Sequence, residues 1–132
     1  MDYEVVDLDD VPTTDLSEID EVPPDLDIKP VGEQLGLSEL RATVWYFEPG
    51  DEIQYHAHHE QEEVYFVLDG EFSLKLGRSG ETEYVEVDSG TFWVAKPEVG
   101  HGHRYIGDDE GVVLSLGAPP VADPGVDPHG LD

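Results

Sequence analysis

From Leu40 to Ala118 the chain runs as short β-branched and aromatic stretches, each stopped within a few positions by a glycine-bearing turn. "LRATVWYF" (40–47) ends at Pro49-Gly50, and "VYFVL" (64–68) ends at Asp69-Gly70. "FSLKL" (72–76) alternates, with Phe72, Leu74 and Leu76 on one face. "YVEV", "TFWVA", "HGHRYI" and "VVLSLG" follow, set off by "GRSG", "DSG" and "GDDEG". None of these runs is a convincing amphipathic helix. Strands this short and this regularly punctuated predict an all-β sandwich or barrel. Asp69-Gly70 predicts a two-residue hairpin between the runs on either side.

The two ends read differently. Residues 1–30 hold 11 acids and four prolines. Proline removes a backbone donor, so this segment reads as an acidic arm or a succession of short extended pieces, in which "YEVV" can add one edge strand. Residues 119–132, rich in Pro, Asp and Gly, read as an irregular tail. The expected organisation is therefore one barrel domain over 31–118 between an arm and a tail.

The chain carries 32 acids against six Lys and Arg, a formal charge of −26. Such a charge repels phosphate backbones and disfavours nucleic acid as a partner. It also opposes compaction in ordinary buffer, while near 1 M salt the Debye length falls to ~3 Å and screens the repulsion. The acids are spread, 14 in residues 1–50 and 18 beyond, and lysine occurs only at 29, 75 and 96. That distribution predicts a solvated acidic shell of the salt-adapted, halophilic kind. No apolar run is long enough to span a bilayer and no secretion signal follows Met1, so a cytoplasmic protein without a membrane partner is expected. Cysteine is absent, so any metal site must use nitrogen and oxygen ligands.

"YHAHHEQEEVYFVLDGE" (55–71) gathers three histidines and several carboxylates at the start of a strand. His56 and His58 are two apart, so on an extended chain they share a face and can reach one ion. Glu63 can add a carboxylate oxygen. Glu60 and Glu62 compete with it, and only strand register favours Glu63. His59 faces away by parity and reads as a solvated neighbour. His101, His103 and Tyr105 share one parity on a later strand, and Tyr65 shares the face of Glu63. Barrel filling explains the two tyrosines at least as well as a functional role. Trp45 and Trp93 read as core or interface. Arg41 and Arg104 can clamp an anion or simply pair with carboxylates.

Gly50, five residues, His56, one residue, His58, four residues, Glu63, six residues and Gly70 match every fixed position of the first cupin motif. Over roughly residues 35–118 the chain resembles a small single-domain cupin. The second motif (Gly, five residues, Pro, one residue, Gly, two residues, His, three residues, Asn) is met at Gly90 and His101, with Lys96, Glu98 and Tyr105 at the other places. A shift of one residue brings Pro97 and Gly100 near their places instead. The flanking "DSG" and "GDDE" favour the gapless register.

The resemblance implies a jelly-roll β-barrel of two antiparallel sheets, a homodimer, and a divalent transition metal held by His56, His58, Glu63 and His101. Three imidazoles and a carboxylate suit Fe, Mn, Zn, Ni or Cu. It further implies a small-molecule ligand and either of two classes. One is a metal-dependent oxygenase or isomerase acting on a small oxygenated molecule. The other is a non-catalytic metal-containing binding or sensing domain. His103, Tyr105 and Tyr65 are the candidate catalytic residues, because each can move a proton.

Overall fold

A computed structural model describes residues 3–13, 26–120 and 126–131. Nine strands form two antiparallel sheets: β1 (Asp27–Lys29), β2 (Arg41–Phe47), β3 (Glu52–His56), β4 (Glu62–Asp69), β5 (Phe72–Leu76), β6 (Glu83–Val87), β7 (Phe92–Ala95), β8 (His101–Tyr105) and β9 (Gly111–Ala118). One sheet has the order β1-β2-β9-β4-β7 and the other β3-β8-β5-β6. This is the expected all-β jelly roll. The helix α1 (Val31–Leu35) is little more than one turn and closes on Gly36 in the left-handed conformation. It lies so close to β2 that a Cβ at Gly32 would sit 2.8 Å from the Ala42 backbone nitrogen.

Alternation along the strands builds the core. Phe72 and Leu74 on β5, Tyr65 and Val67 on β4, Phe47 on β2 and Val113 on β9 are all buried between the sheets. Phe47 meets Phe72 edge-on, with centroids 5.1 Å apart, so the two sheets are pinned by an aromatic pair. Residues 3–6, the "YEVV" that the sequence allowed as an edge strand, are not in a strand. The edge place beside β2 is taken by β1, whose Ile28 pairs opposite Trp45. Residues 14–25 of the arm and 121–125 of the tail lie outside the described residues.

Asp69-Gly70 does not close a hairpin. β4 is already hydrogen-bonded on one side to β9 and on the other to β7, so it has no edge left for β5. The turn instead carries the chain from one sheet to the other. Gly70 takes φ +101°, and a Cβ there would lie 2.8 Å from Tyr105 Cε1 and 3.2 Å from Gly111 Cα. Only glycine suits both the torsion and the close approach. The sequence-local hairpin is β5–β6, joined through the "GRSG" segment.

Candidate metal centre

β3 and β8 pair at Ile53↔His103 and again at His56↔His101, with a register shift between. Three steps on β3 thus oppose two on β8. The extra residue puts His56 on the inner face of Ile53, where strict alternation would have placed Tyr55. His58 follows in the loop after β3, and Glu63 stands near the start of β4. His56, His58, Glu63 and His101 each present one donor atom, and these atoms all lie within 4.8 Å of one another. The set can hold a metal ion. Donors at ~2.0–2.2 Å from a shared ion are about 3–4.4 Å apart, so sub-ångström shifts would close the cluster.

The ring tautomers are set by the backbone. His56 Nδ1 donates to Gln54 O at 2.8 Å and His101 Nδ1 donates to Val99 O at 3.1 Å. A carbonyl can only accept, so each Nε2 carries the lone pair. His101 is buried, and its Nε2 has no hydrogen-bond partner. An orphaned buried acceptor costs about 1–3 kcal/mol, and a cation at the cluster would relieve that cost. The donor chemistry and the orphaned nitrogen therefore both fit a metal.

Glu63 is anchored on both oxygens. Its Oε1 lies 2.8 Å from His58 Nε2 and 3.9 Å from His101 Nε2, and its Oε2 accepts from the Tyr65 hydroxyl at 2.9 Å. Burial alone would raise the Glu63 pKa. The hydrogen bond from His58, the charges of His101 and His58 and the bond from Tyr65 outweigh burial and hold it at about 2. Tyr65 is pushed well above 10, first by burial and then by the Glu63 carboxylate, and stays a phenol. Burial, followed by the neighbouring His56, lowers His101 to about 4, so it is a neutral ligand at pH 7.

The cluster opens on a cavity of about 820 Å³ between the sheets, lined also by Tyr65, His103, Trp45 and Ser115. His103 lies outside the four-atom group. It sits among the rings of Phe47, Tyr65 and Trp93 at 5.4, 5.2 and 5.3 Å, with neither ring nitrogen hydrogen-bonded. Burial, then His101, lowers its pKa to about 3.

Tyr105, grouped with these residues by parity, is not brought to the cluster. Four residues along β8 from His101 is ~13 Å. The Tyr105 hydroxyl accepts from Asp109 N at 3.1 Å, and its ring packs on Phe72. It is interior, as parity requires, but a core residue at the other end of the strand.

The competing carboxylate also separates from the site: Glu62 points outward and pairs with Lys96 at 2.7 Å. His59 is exposed, 3.8 Å from Glu98. Glu98 stands where the second motif has glycine, and it takes φ +66°. Val99 N donates to Lys96 O at 3.1 Å, so Lys96 to Val99 form a turn with Pro97 second and the left-handed residue third. That is the pattern of a type II turn, and the positive φ falls at the place where the gapless register puts the motif's glycine. The Glu98 amide donates to His58 O at 2.6 Å and so fixes the loop that presents His58.

Sequence reasoning placed Trp45 in the core or an interface. It lines the cavity, and its Nε1 donates to Ser115 Oγ at 2.8 Å. The tail contributes as well: Val126 bridges Ala57 through two backbone hydrogen bonds of 3.0 and 2.8 Å, and Asp127 and His129 reach the cavity lining. No local pattern in the tail announces a contact some seventy residues away in sequence.

Known structures share this fold. KdgF from Halomonas sp. is 23% identical, with 86% of this chain and 92% of that one covered at a TM-score of 0.68. A putative sugar phosphate isomerase from Acidithiobacillus ferrooxidans is 28% identical over 70% of this chain and 58% of its own, at a TM-score of 0.62. A predicted oxalate decarboxylase from Thermotoga maritima is 16% identical over 86% and 97%, at a TM-score of 0.71. No curated protein matches the chain. The cupin domain model matches residues 43–117, which spans both motifs and the strands that carry them. More than half the chain lies in that match, and with its two antiparallel sheets closing over the histidines this protein belongs to the cupin domain family.

Proposed function

We propose that this cupin is a metal-dependent enzyme of the isomerase or oxygenase type, acting on a small oxygenated molecule. His56, His58, Glu63 and His101 are its metal ligands. The observation that carries this reading is the convergence of three imidazoles and one carboxylate within 4.8 Å, three of them, His56, His58 and Glu63, lining a cavity. When bound, a divalent transition metal supplies Lewis acidity toward a substrate oxygen. The protein does the rest. Tyr65 holds the Glu63 carboxylate in one orientation through its 2.9 Å hydrogen bond, and the His58 contact fixes the other oxygen. His103, neutral and without a hydrogen-bond partner in the cavity wall, would orient a substrate group through a hydrogen bond at a ring nitrogen.

Isomerase chemistry agrees with the name carried by the Acidithiobacillus relative, and the cavity between the sheets suits a small molecule. The test is metal analysis of protein purified in high salt without a chelating column, followed by turnover and oxygen-uptake assays. Stoichiometric metal with substrate conversion supports the enzyme. Tight metal without turnover assigns the chain to the binding or sensing class.

A further inference from the structure

We propose, building on the metal-centre reading above, that the ligand carries a carboxylate, held by Arg41, which shares a row of the sheet with Glu63. Only six cationic side chains occur among 132 residues, so where they stand is informative. Two of them, Arg41 and Lys75, line the cavity. The Lys75 ammonium is engaged over the Tyr55 ring at 4.4 Å. Arg41 makes no ion pair with any carboxylate among the described residues, in a chain where acids are everywhere. An arginine that serves only to neutralise acids would have found one.

The register shows what Arg41 faces. Gly117 on β9 pairs with Arg41 on one side and with Glu63 on the other. Neighbouring strands are ~4.8 Å apart, so the Arg41 and Glu63 Cα atoms stand about 10 Å apart on one row. The middle residue of the row contributes no side chain of its own. A Cβ built at Gly117 would be in ordinary van der Waals contact with Glu63 Cγ at 3.5 Å and with Gln61 Nε2 and Cδ at 3.7 and 3.8 Å, so Gln61, itself a lining residue of the cavity, reaches over this glycine. The next row along the same face, Thr43↔Ser115↔Tyr65, supplies hydroxyls.

A molecule in the cavity is therefore gripped at one end by a guanidinium and meets the ligand cluster at the other. Arginine presents a planar fork that matches a carboxylate through two parallel hydrogen bonds. The short span selects a compound of a few carbons with a second oxygen near the acid group. An anion would otherwise be repelled by a chain of charge −26, so a local cation is what such a ligand requires.

The experiment is binding to metal-loaded protein in high salt, read by calorimetry. The probes are lactate, pyruvate and 2-oxoglutarate, the amides lactamide and pyruvamide, and glucose 6-phosphate. Metal content is measured in parallel. At least one acid is expected to bind about tenfold or more tighter than the amides, with that preference lost in Arg41→Gln and partly restored in Arg41→Lys. Equal binding of acids and amides, unchanged acid binding by Arg41→Gln, no binding of any acid at millimolar concentration, or tighter binding of the sugar phosphate than of every acid overturns the inference. Wild-type protein that takes up no metal overturns the metal-centre reading instead, a result the metal analysis reports separately from the binding data.

Discussion

The Tyr65 hydroxyl donates to Glu63 Oε2 at 2.9 Å while Glu63 Oε1 lies 2.8 Å from His58, so one carboxylate is held at both ends by residues of different function. Tyr65→Phe removes one grip and leaves every ligand atom in place. Metal affinity should fall by about tenfold, within the range seen for groups that orient a ligand, whereas Glu63→Ala should lose far more. Competition titration against a chelator measures both. An unchanged affinity for Tyr65→Phe would show that His58 alone orients the carboxylate.

His101 and His103 are two residues apart on β8, yet only His101 joins the four-atom cluster. His101→Ala should abolish stoichiometric metal binding. His103→Ala should keep it but reduce any turnover, and should cost about 2–4 kcal/mol of stability because it empties a site among packed rings. Metal titration together with denaturant unfolding of both variants decides this. Loss of metal by His103→Ala alone would put the wrong histidine in the site.

Metal-stripped protein should lose stability in acid. His101 and His103 titrate near 4 and 3 when folded but near 6.5 when unfolded. The unfolded chain therefore binds protons first, and stability present above pH 6.5 declines as pH falls toward 3. The His101 shift alone corresponds to roughly 3 kcal/mol. Glu63, lowered from 4.5 to about 2, adds a further loss between those values. Unfolding midpoints at pH 7, 5 and 4 test the direction. A midpoint constant across this range would contradict it.

Salt should act in the opposite sense. With a charge of −26 spread along the chain, raising KCl from low to multimolar concentration should raise the thermal midpoint by screening repulsion. A falling or flat midpoint would mean that the acidic shell does not limit stability.

Glu98 occupies a left-handed position at φ +66°. Glu98→Gly should relieve about 1–2 kcal/mol of backbone strain and forfeit about 0.5–1 kcal/mol to chain entropy. The net expectation is a small gain, read as a thermal midpoint a few degrees higher with metal content unchanged. A clear destabilisation would mean that the exposed contact with His59 matters more than the torsion.

Much of this molecule was legible before its fold was known, for reasons that differ from place to place. The apolar alternation of Phe72, Leu74 and Leu76 and the glycine-bearing turns report local physics, so the strands could be read directly. The spacing of His56, His58 and Glu63 is also local and pointed to one face. What could not be read is pairing across distance. Asp69-Gly70 looks like a hairpin because a turn's residues do not reveal which sheet the next strand will join. Tyr105 shares the parity of His101, but parity gives a face and not a height along the barrel. Arg41 was weighed as an anion clamp without the means to see that it shares a row with Gly117 and Glu63. Glu98 hid a motif position, because a glutamate there gives no sign of the torsion it adopts.

The pairing of His56 with His101 closes a loop that spans about half of the barrel sequence. Before β3 and β8 meet, His101 stands on a separate stretch of chain, and a metal has at most His56, His58 and Glu63 to hold. Full-affinity metal uptake therefore reports a late, long-range event, one expected to be slow where non-local strand pairing must precede its reward. A refolding experiment that follows metal capture alongside the ordering of the aromatic core would see the first lag behind the second. The ion would then act as a lock on a finished barrel, with no part in seeding it.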